Sequence, residues 1–297
     1  MSAPPLLFDR PLRRRRLDRT AERWRTADFL HRRAAEDAAD RLSAILRRFP
    51  VAVELGAAPG LMRPLTSKDQ VEAWIQAGLS ATRLAGAAGP RVVADEERLP
   101  FRPESLDLVV SLLSLHWTND LVGALVQIRR ALKPDGLFIG ALFGGATLTE
   151  LRQSLLIAES DLGVGVGARV SPFADGFDGA GLLQRAGFTL PVADVDRVTV
   201  RYDNPIKLMA DLRAMGETSV LIDRPPTPLT RATLLRTAEV YAERFALPDG
   251  RIPATFEIVT LTGWAAHESQ QTPLKPGSAK MRLADALNVA EHRLERE

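Results

Sequence analysis

Short apolar runs alternate with amphipathic stretches along the first half of the chain. The strongest runs have the length and continuous apolar character of buried strands: VAVEL, LDLVVSLLSL and LFIGALF. Weaker strand patterns occur at VEAWIQA and RVVA. Helical stretches separate these runs, at residues 8–48, 79–87 and 118–132. This alternation predicts an α/β fold with a parallel, doubly wound sheet that helices cover on both faces.

Capping residues indicate where two of the helices begin. Thr118 or Asn119 is suited to cap the helix at 118–132, because a short polar side chain there accepts a hydrogen bond from the first turn. Asp120, placed in the first turn, is a further candidate for a capping role. Thr147, with Glu150 three residues later, has the spacing of a capping box.

Three of the predicted strands end in distinctive loops. GAAPG follows VAVEL, Asp95-Glu96 follows RVVA, and Ser114-Leu115-His116-Trp117 ends LDLVVSLLSL. Ligands of doubly wound sheets bind beyond the carboxyl ends of the strands, where the strand order reverses. We therefore expect the three loops to surround one open crevice.

Several segments carry a resemblance to a known family. They include FDRPLRRRRLDR, ADEERLPF, LHWTNDL, QIRRALKPDGLFIGALFGG and the tail QQTPLKPGSA. With these segments the chain resembles class I S-adenosylmethionine (SAM)-dependent methyltransferases. The narrower resemblance is to the mitochondrial complex I assembly methyltransferase-like proteins, which are arginine hydroxylases, and to their α-proteobacterial relatives. Similarity to the biotin-pathway malonyl-carrier-protein methyltransferases is weaker.

The resemblance implies a Rossmann-like, seven-stranded sheet whose last strand is antiparallel, with TFEIVTLTGW as the candidate for that strand. It also implies an N-terminal basic helical arm at 1–48, a methyltransferase-like domain at 49–297 and a helical lid insertion at 205–247. The lid segments NPIKLMADLRAMG and LTRATLLRTAEVYAERF have apolar residues at helical spacing, so we expect amphipathic helices over the crevice. A lid suits methyl transfer, because excluding water and fixing the reacting atoms in line lowers the barrier.

By the same resemblance SAM is the expected cofactor. The expected contacts come from the three strand ends and the second strand: Glu54, Gly56, Ala58, Gly60, Gln76, Asp95, Glu96 and Ser114.

Two features of this predicted cofactor site depart from the family pattern. Ala58 replaces the middle glycine of the turn, at a cost of about 1 kcal/mol if its φ is positive. The window WIQAGLSA lacks the carboxylate that normally accepts the ribose hydroxyls, and Gln76 offers only one acceptor there. Such a loss weakens a contact by about 1.5–3 kcal/mol, so we expect weakened cofactor binding.

His116 and Trp117 are the candidates for chemistry. A neutral imidazole at a strand end can orient or deprotonate a nucleophile, and an indole can face a sulfonium or a guanidinium. The alternative interpretation is structural: a histidine at a helix end beside a core tryptophan.

Composition excludes several other classes of chemistry. The chain has no cysteine, which removes disulfides, thiolate metal sites and a cysteine nucleophile. No two of its four histidines have metal-binding helix spacing, so we expect no metal. No apolar run approaches the roughly 18 residues of a membrane span, and no secretory leader pattern is present.

Charge is concentrated at the amino terminus. Residues 1–48 contain thirteen arginines against seven acidic residues. This arm is either a solvated amphipathic helix or a docking surface for a partner, and peripheral contact with an anionic membrane is also open. We expect no nucleic-acid partner.

Two functions of different class follow from these patterns. In the first, the protein is a SAM-dependent enzyme that modifies a protein partner, which the resemblance suggests is an arginine-bearing subunit of respiratory complex I. In the second, it is a non-catalytic assembly scaffold with a degenerate cofactor site. The expected compartment is a bacterial cytoplasm, or the mitochondrial matrix if the protein is eukaryotic.

Overall fold

A computed structural model of the chain describes residues 6–173 and 178–271, together with Met281 and Asp285. The chain divides into one unit at 1–266 and a second at 267–297. In the second unit, His267 Nδ1 and Ser269 Oγ lie 2.7 Å apart. Most of the tail segment QQTPLKPGSA, from residue 272 onward, lies outside the described residues.

The first unit is built on a seven-stranded sheet in the order β3-β2-β1-β4-β5-β7-β6. Its strands are β1 Phe49–Gly56, β2 Val71–Gly78, β3 Arg91–Val93, β4 Leu106–Leu112, β5 Leu132–Phe143, β6 Thr189–Tyr202 and β7 Ile252–Trp264. Strands β1 to β5 pair in parallel, whereas β7 pairs antiparallel with both β5 and β6. Only the last strand therefore runs against the others. The predicted fold class is confirmed.

Helices cover both faces of this sheet. They are α1 Arg10–Arg19, α2 Phe29–Ser43, α3 Ala81–Ala85, α4 Leu121–Ala131, α5 Thr149–Asp161, α6 Gly179–Arg185, α7 Pro205–Met215 and α8 Arg231–Phe245. On one face, buried side chains of α2, α5, α7 and α8 pack with those of β1, β4 and β5. On the other face, side chains of α4 and α6 pack with the opposite residues of the same strands. Among the residues described, no helix combines the length and apolarity that crossing a membrane requires.

Of the candidate caps of α4, Thr118 and Asn119 are wrong, whereas Asp120 is confirmed. The helix begins at Leu121, and its N-cap is Asp120, whose Oδ1 accepts a hydrogen bond of 2.7 Å from the Gly123 amide. Asn119 instead binds the start of the chain, because its Oδ1 accepts hydrogen bonds of 2.7 Å from the amides of Leu7 and Phe8. The loop after β4 therefore holds the amino-terminal segment, a long-range contact that no local pattern reveals.

The expected capping box of α5 is also wrong. The residue before the helix is Leu148, which has a left-handed φ of 56° and makes no side-chain cap. Thr147 Oγ1 instead exchanges hydrogen bonds with the backbone of Glu257, at 3.0 and 3.1 Å. Glu150 accepts from the Thr255 amide at 3.1 Å. Both side chains are used to fix α5 to β7.

Helices α7 and α8 lie within the segment 205–247 that connects β6 to β7. Each turns an apolar stripe inward, because residues three and four apart share a helix face. The buried residues are Leu208, Leu212 and Met215 of α7, and Thr233, Thr237, Val240 and Tyr241 of α8. The hydroxyl of Tyr241 donates a hydrogen bond of 2.7 Å to the Pro253 carbonyl and so ties α8 to β7.

Tyr241→Phe removes this hydrogen bond and leaves the partly buried Pro253 carbonyl without that donor. We expect the free energy of unfolding to fall by about 1 kcal/mol, measured by urea denaturation. Leu235→Ala, at an exposed position of the same helix, serves as the control and should change stability little. Equal stability of Tyr241→Phe and the unaltered protein would contradict the proposed attachment.

Candidate functional site

The three loops predicted to meet lie at one edge of the sheet. Strands β1 and β4 are neighbours in register from Ala52–Leu108 to Gly56–Leu112, and β2 lies on the other side of β1. The strand order reverses between β1 and β4. The loops after β1, β3 and β4 therefore surround the place where doubly wound sheets bind ligands.

The turn after β1 is held by two side chains from below. Glu54 accepts hydrogen bonds from the Leu61 and Met62 amides at 2.8 and 3.3 Å. Gln76, its neighbour on β2, accepts from the Gly60 amide at 2.7 Å. Both side chains are buried, and these hydrogen bonds hold the backbone of the turn.

Glycine is required twice in this turn and alanine is tolerated between them. Gly56 has a φ of 139° and Gly60 a φ of 87°, a region that side chains disfavour. A Cβ on Gly56 would also lie only 2.8 Å from the Cβ of Ser114. Ala58 is not among the residues with positive φ, and its methyl group packs in the core. The strain considered for Ala58 is therefore absent.

Glu54 carries an unusual proton affinity. Burial raises the pKa of its carboxyl group from 4.5 to about 7, because the charged form loses hydration. The hydrogen bonds that it accepts from backbone amides oppose this shift. Near neutral pH the side chain is thus poised between its protonated and charged forms.

The end of β2 has no room for the expected acid. The residue there is Gly78, and a Cβ at this position would lie 2.3 Å from the Gly56 carbonyl oxygen. Because the obstacle is backbone, a carboxylate side chain requires the two strands to move apart. The missing ribose acceptor is therefore part of how β1 and β2 pack, and Gln76 does not replace it.

Helix α1 lies across this same edge of the sheet. Leu17 is buried and packs against Ala57 of the turn and Leu79, the residue after β2. Beside Leu17 on the helix, Asp18 accepts a hydrogen bond of 2.5 Å from the Ser80 hydroxyl. The sequence predicted an open crevice here, and the structure fills it with side chains of α1.

Arg10, at the start of α1, forms ion pairs with two acidic side chains after β3. Its guanidinium pairs with Asp95 at 2.6 Å and with Glu96, and it donates a hydrogen bond of 3.1 Å to the Trp117 carbonyl. Glu96 also accepts from the Ser114 hydroxyl. Burial by itself lowers the pKa of Arg10, but the two carboxylates outweigh burial and raise it above its ordinary value. Every predicted contact of this loop is thus already engaged within the chain.

Arg83 closes the crevice from the side of α3. This buried guanidinium donates hydrogen bonds to the carbonyls of Ala57, Leu17 and Met215 at 2.7, 3.2 and 2.8 Å. Burial, together with the positive charge of Arg13, lowers the pKa of Arg83 to about 9. The residue therefore joins the turn after β1, helix α1 and the end of α7.

A buried carboxylate, Glu217, connects α7 to both α1 and the end of β4. It pairs with Arg13 at 2.8 Å, accepts from the Trp117 indole nitrogen at 2.8 Å and lies 3.1 Å from His116 Nε2. The Arg13 guanidinium also lies 4.8 Å from the centre of the Trp117 ring. Burial alone raises the pKa of Glu217, but the Arg13 charge and the His116 hydrogen bond hold it well below its usual range. The carboxylate stays charged.

His116 is held at both ring nitrogens. The Phe143 amide donates to Nδ1 at 3.4 Å, so the proton lies on Nε2 and is donated to Glu217. Burial is the main reason that the pKa of His116 is lowered, so the ring is neutral at physiological pH. This geometry fits the structural interpretation of His116, whereas Trp117 also lines a neighbouring cavity.

Within the described ranges, no group of three or more histidine or acidic side chains is arranged to hold a metal ion.

Comparison with known proteins identifies the family. Residues 54–140 match the family described as methyltransferase domain (Methyltransf_11). The chain is 41% identical over 286 residues to the human mitochondrial arginine-hydroxylase NDUFAF5, a match that covers 94% of this chain and 83% of that protein. The zebrafish (Danio rerio) protein of the same name is 39% identical over 290 residues, covering 95% and 90%. The chain belongs to the NDUFAF5 family of methyltransferase-domain proteins.

Other relatives agree with this family assignment. A malonyl-[acyl-carrier protein] O-methyltransferase of Halorhodospira halophila is 32% identical over 287 residues, covering 92% of this chain and 94% of that protein. Among solved structures, a protein of Bacillus halodurans named as a methyltransferase aligns with a TM-score of 0.55 at 13% identity, covering 78% of this chain and 99% of that one. YcgJ of Bacillus subtilis aligns with a TM-score of 0.53 at 13% identity, covering 78% of this chain and 98% of that one. These two likenesses establish the fold alone.

SAM, the cofactor that the family fold implies, does not fit this arrangement while α1 is in place. Leu17 fills the space between the turn and Leu79, and Arg10 takes both acidic groups of the β3 loop. Gly78 leaves no acceptor for ribose hydroxyls. In this conformation of the NDUFAF5-family protein, the acidic side chains of the β3 loop, which were expected to contact SAM, pair with Arg10 of α1 instead.

Sequence reasoning missed the residues that close the crevice: Arg10, Arg13, Leu17, Arg83 and Glu217. One signal was present, because positions 10, 13 and 17 are spaced as one helix face and include a leucine within an arginine run. The arginines nevertheless match a solvated surface equally well. Glu217 follows a helix end and carries no local sign of its partners.

The raised pKa of Glu54 predicts how stability changes with pH. Between pH 4.5 and 7 the folded protein keeps a proton that the unfolded chain releases, so stability falls as pH rises through this window. Glu54→Gln removes this dependence. Urea unfolding at several pH values should show that the stability of the variant, relative to that of the unaltered protein, increases as pH rises. Parallel profiles would refute the assignment.

Glu217→Gln leaves the buried Arg13 guanidinium without its counter-charge. We expect the free energy of unfolding to fall by about 3–5 kcal/mol in chemical denaturation. Glu239→Gln is the control, because Glu239 pairs with Arg236 on an exposed surface and should contribute at most about 1 kcal/mol. A loss for Glu217→Gln as small as that of the control would show that the buried network is not formed.

Proposed function

We propose that this chain is an assembly protein for respiratory complex I that uses the methyltransferase fold to engage a protein partner. The observation that carries the proposal is the closed crevice: Leu17 and Arg10 of α1 occupy the space and the acidic groups where the family would hold SAM. The complex I role follows the family resemblance, and the matched relatives are named as mitochondrial. For this chain we expect a bacterial cytoplasm or a mitochondrial matrix.

Closure is held by interactions that are costly to break. Withdrawing α1 exposes Leu17 and leaves Glu217, Asp95 and Glu96 without their arginine partners. Breaking one buried ion pair costs about 3–5 kcal/mol, and SAM supplies no group that replaces Arg13 beside Glu217. A weakened cofactor site therefore competes against a strongly held helix.

The basic arm offers a surface for the partner. Arg10 and Arg13 face inward, but Arg14, Arg15 and Arg19 of the same helix are exposed and form no ion pair with the described residues. Three unpaired guanidiniums on one short helix attract an acidic protein surface. Closure of the crevice fixes this helix in one position, which suits a docking role.

A second candidate is a SAM-dependent enzyme that modifies a protein partner. It is favoured by one specific observation: the turn keeps the two positive-φ glycines, Gly56 and Gly60, above the acid Glu54. The relatives named arginine-hydroxylase and O-methyltransferase also favour enzymatic activity. This function requires α1 to withdraw before the cofactor enters.

Calorimetry with SAM and with S-adenosylhomocysteine discriminates between the two functions. We expect no heat of binding to the full chain at millimolar ligand, because α1 occupies the site. Micromolar binding to the unaltered protein would overturn the closed-crevice proposal and support the enzyme. Arg10→Gln with Leu17→Ala serves as the second arm, since loosening α1 should favour any residual binding.

Complementation tests the assembly role separately. In cells that depend on this protein for complex I assembly, replacing Arg14, Arg15 and Arg19 by glutamine should abolish function without loss of fold. The matched control replaces three exposed arginines elsewhere: Arg48, Arg231 and Arg244. Full function of the α1 variant would contradict docking through this helix.

A further inference from the structure

A cavity of about 420 Å³ lies beside the closed crevice. It is within the range of about 300–1,000 Å³ that is typical of small-molecule sites. Much of its lining is apolar and comes from α5, α7 and the residues around them: Leu148, Leu151, Leu155, Phe173, Met209 and Leu212. Trp117 contributes an aromatic surface.

Four arginines line this cavity, and three of them are Arg16, Arg213 and Arg224. Arg169 lines it too, but the buried carboxylate of Glu159 neutralises that guanidinium at 2.7 Å. Glu217 is the only carboxylate among the described lining residues, and Arg13 already pairs with it. The cavity therefore has an excess of positive charge.

Few protein carboxylates lie close to these three guanidiniums. Arg16 donates to the Ser219 carbonyl, and Arg224 donates to the Leu221 carbonyl at 2.7 Å, with Asp9 at 3.8 Å. Arg213 is exposed, and its side chain makes no hydrogen bond or ion pair with any residue that the structure describes. Burial first, and then the positive charges of Arg224 and Arg13, lower the pKa of Arg16, as expected where like charges crowd.

We propose that this cavity binds an organic anion with an apolar body. The anionic head, a carboxylate or a phosphate, pairs with Arg213, Arg16 and Arg224, since a guanidinium fork matches the oxygen pairs of both groups. The apolar body packs against the leucines of α5 and Met209 of α7. This site is separate from the turn after β1, but it shares α1 with the closed crevice through Arg16.

Calorimetry with ten-carbon probes tests the proposal on the full chain. Decanoate and decyl phosphate carry the two heads, while decanol and decyltrimethylammonium carry the same tail with no charge or with a positive charge. We expect an anionic probe to bind at least tenfold more tightly than decanol, and the cation not to bind. The anion that binds more tightly shows whether the site prefers a carboxylate or a phosphate head group.

Variants locate the binding within the cavity. Arg213→Gln should weaken binding of the preferred anion about tenfold, as expected for loss of one charge-assisted hydrogen bond. Arg244→Gln, an exposed arginine outside the cavity, is the matched control. Met209→Trp should abolish binding by filling the cavity, with circular dichroism and melting temperature used to check folding.

Three results would overturn the proposal. They are no binding of either anion, equal affinity for decanol and the anions, and unchanged affinity in Arg213→Gln. These measurements use the protein without S-adenosylhomocysteine, so failure of the anion site and failure of the closed crevice are distinguishable.

Discussion

The buried carboxylate of Glu217 is the contact on which the arrangement of this protein depends. A charged group without water is costly, and here three donors offset the cost: the Arg13 guanidinium, the Trp117 indole and the neutral His116 ring. These donors come from α1 and from the end of β4, while Glu217 follows α7. One ionised side chain thus holds together elements that are about 200 residues apart in sequence.

This contact explains why the crevice is closed. With Arg13 anchored at Glu217, the next turn of α1 brings Leu17 onto Ala57 and Leu79, and the first turn brings Arg10 to Asp95 and Glu96. The close approach of Gly78 to the Gly56 carbonyl leaves no place for an acid that would compete with this packing. The missing acid at the end of β2 and the inward-facing arginines therefore belong to one arrangement of the sheet edge.

The fold was predictable from the sequence because it rests on local patterns. Continuous apolar runs marked β1, β4 and β5, and the resemblance supplied the antiparallel β7. The candidate site was predictable in position for the same reason, since parallel strand ends must meet where the order reverses. The side chains that occupy the site were not predictable. An arginine on a helix is usually solvated, and the local sequence does not reveal that Arg13 pairs with Glu217. The predictions that Asn119 and Thr147 cap helices failed for the same reason. Asn119 accepts hydrogen bonds from the amino-terminal segment, and Thr147 exchanges them with a distant strand.

The central claim is that α1 occupies the cofactor crevice of a methyltransferase fold. The most direct test is a crystal structure of the full chain grown with millimolar S-adenosylhomocysteine. The account predicts Leu17 seated against Ala57 and Leu79, Arg13 paired with Glu217, and no nucleoside density above the turn after β1. Density for the nucleoside in that crevice, with α1 displaced, would contradict it.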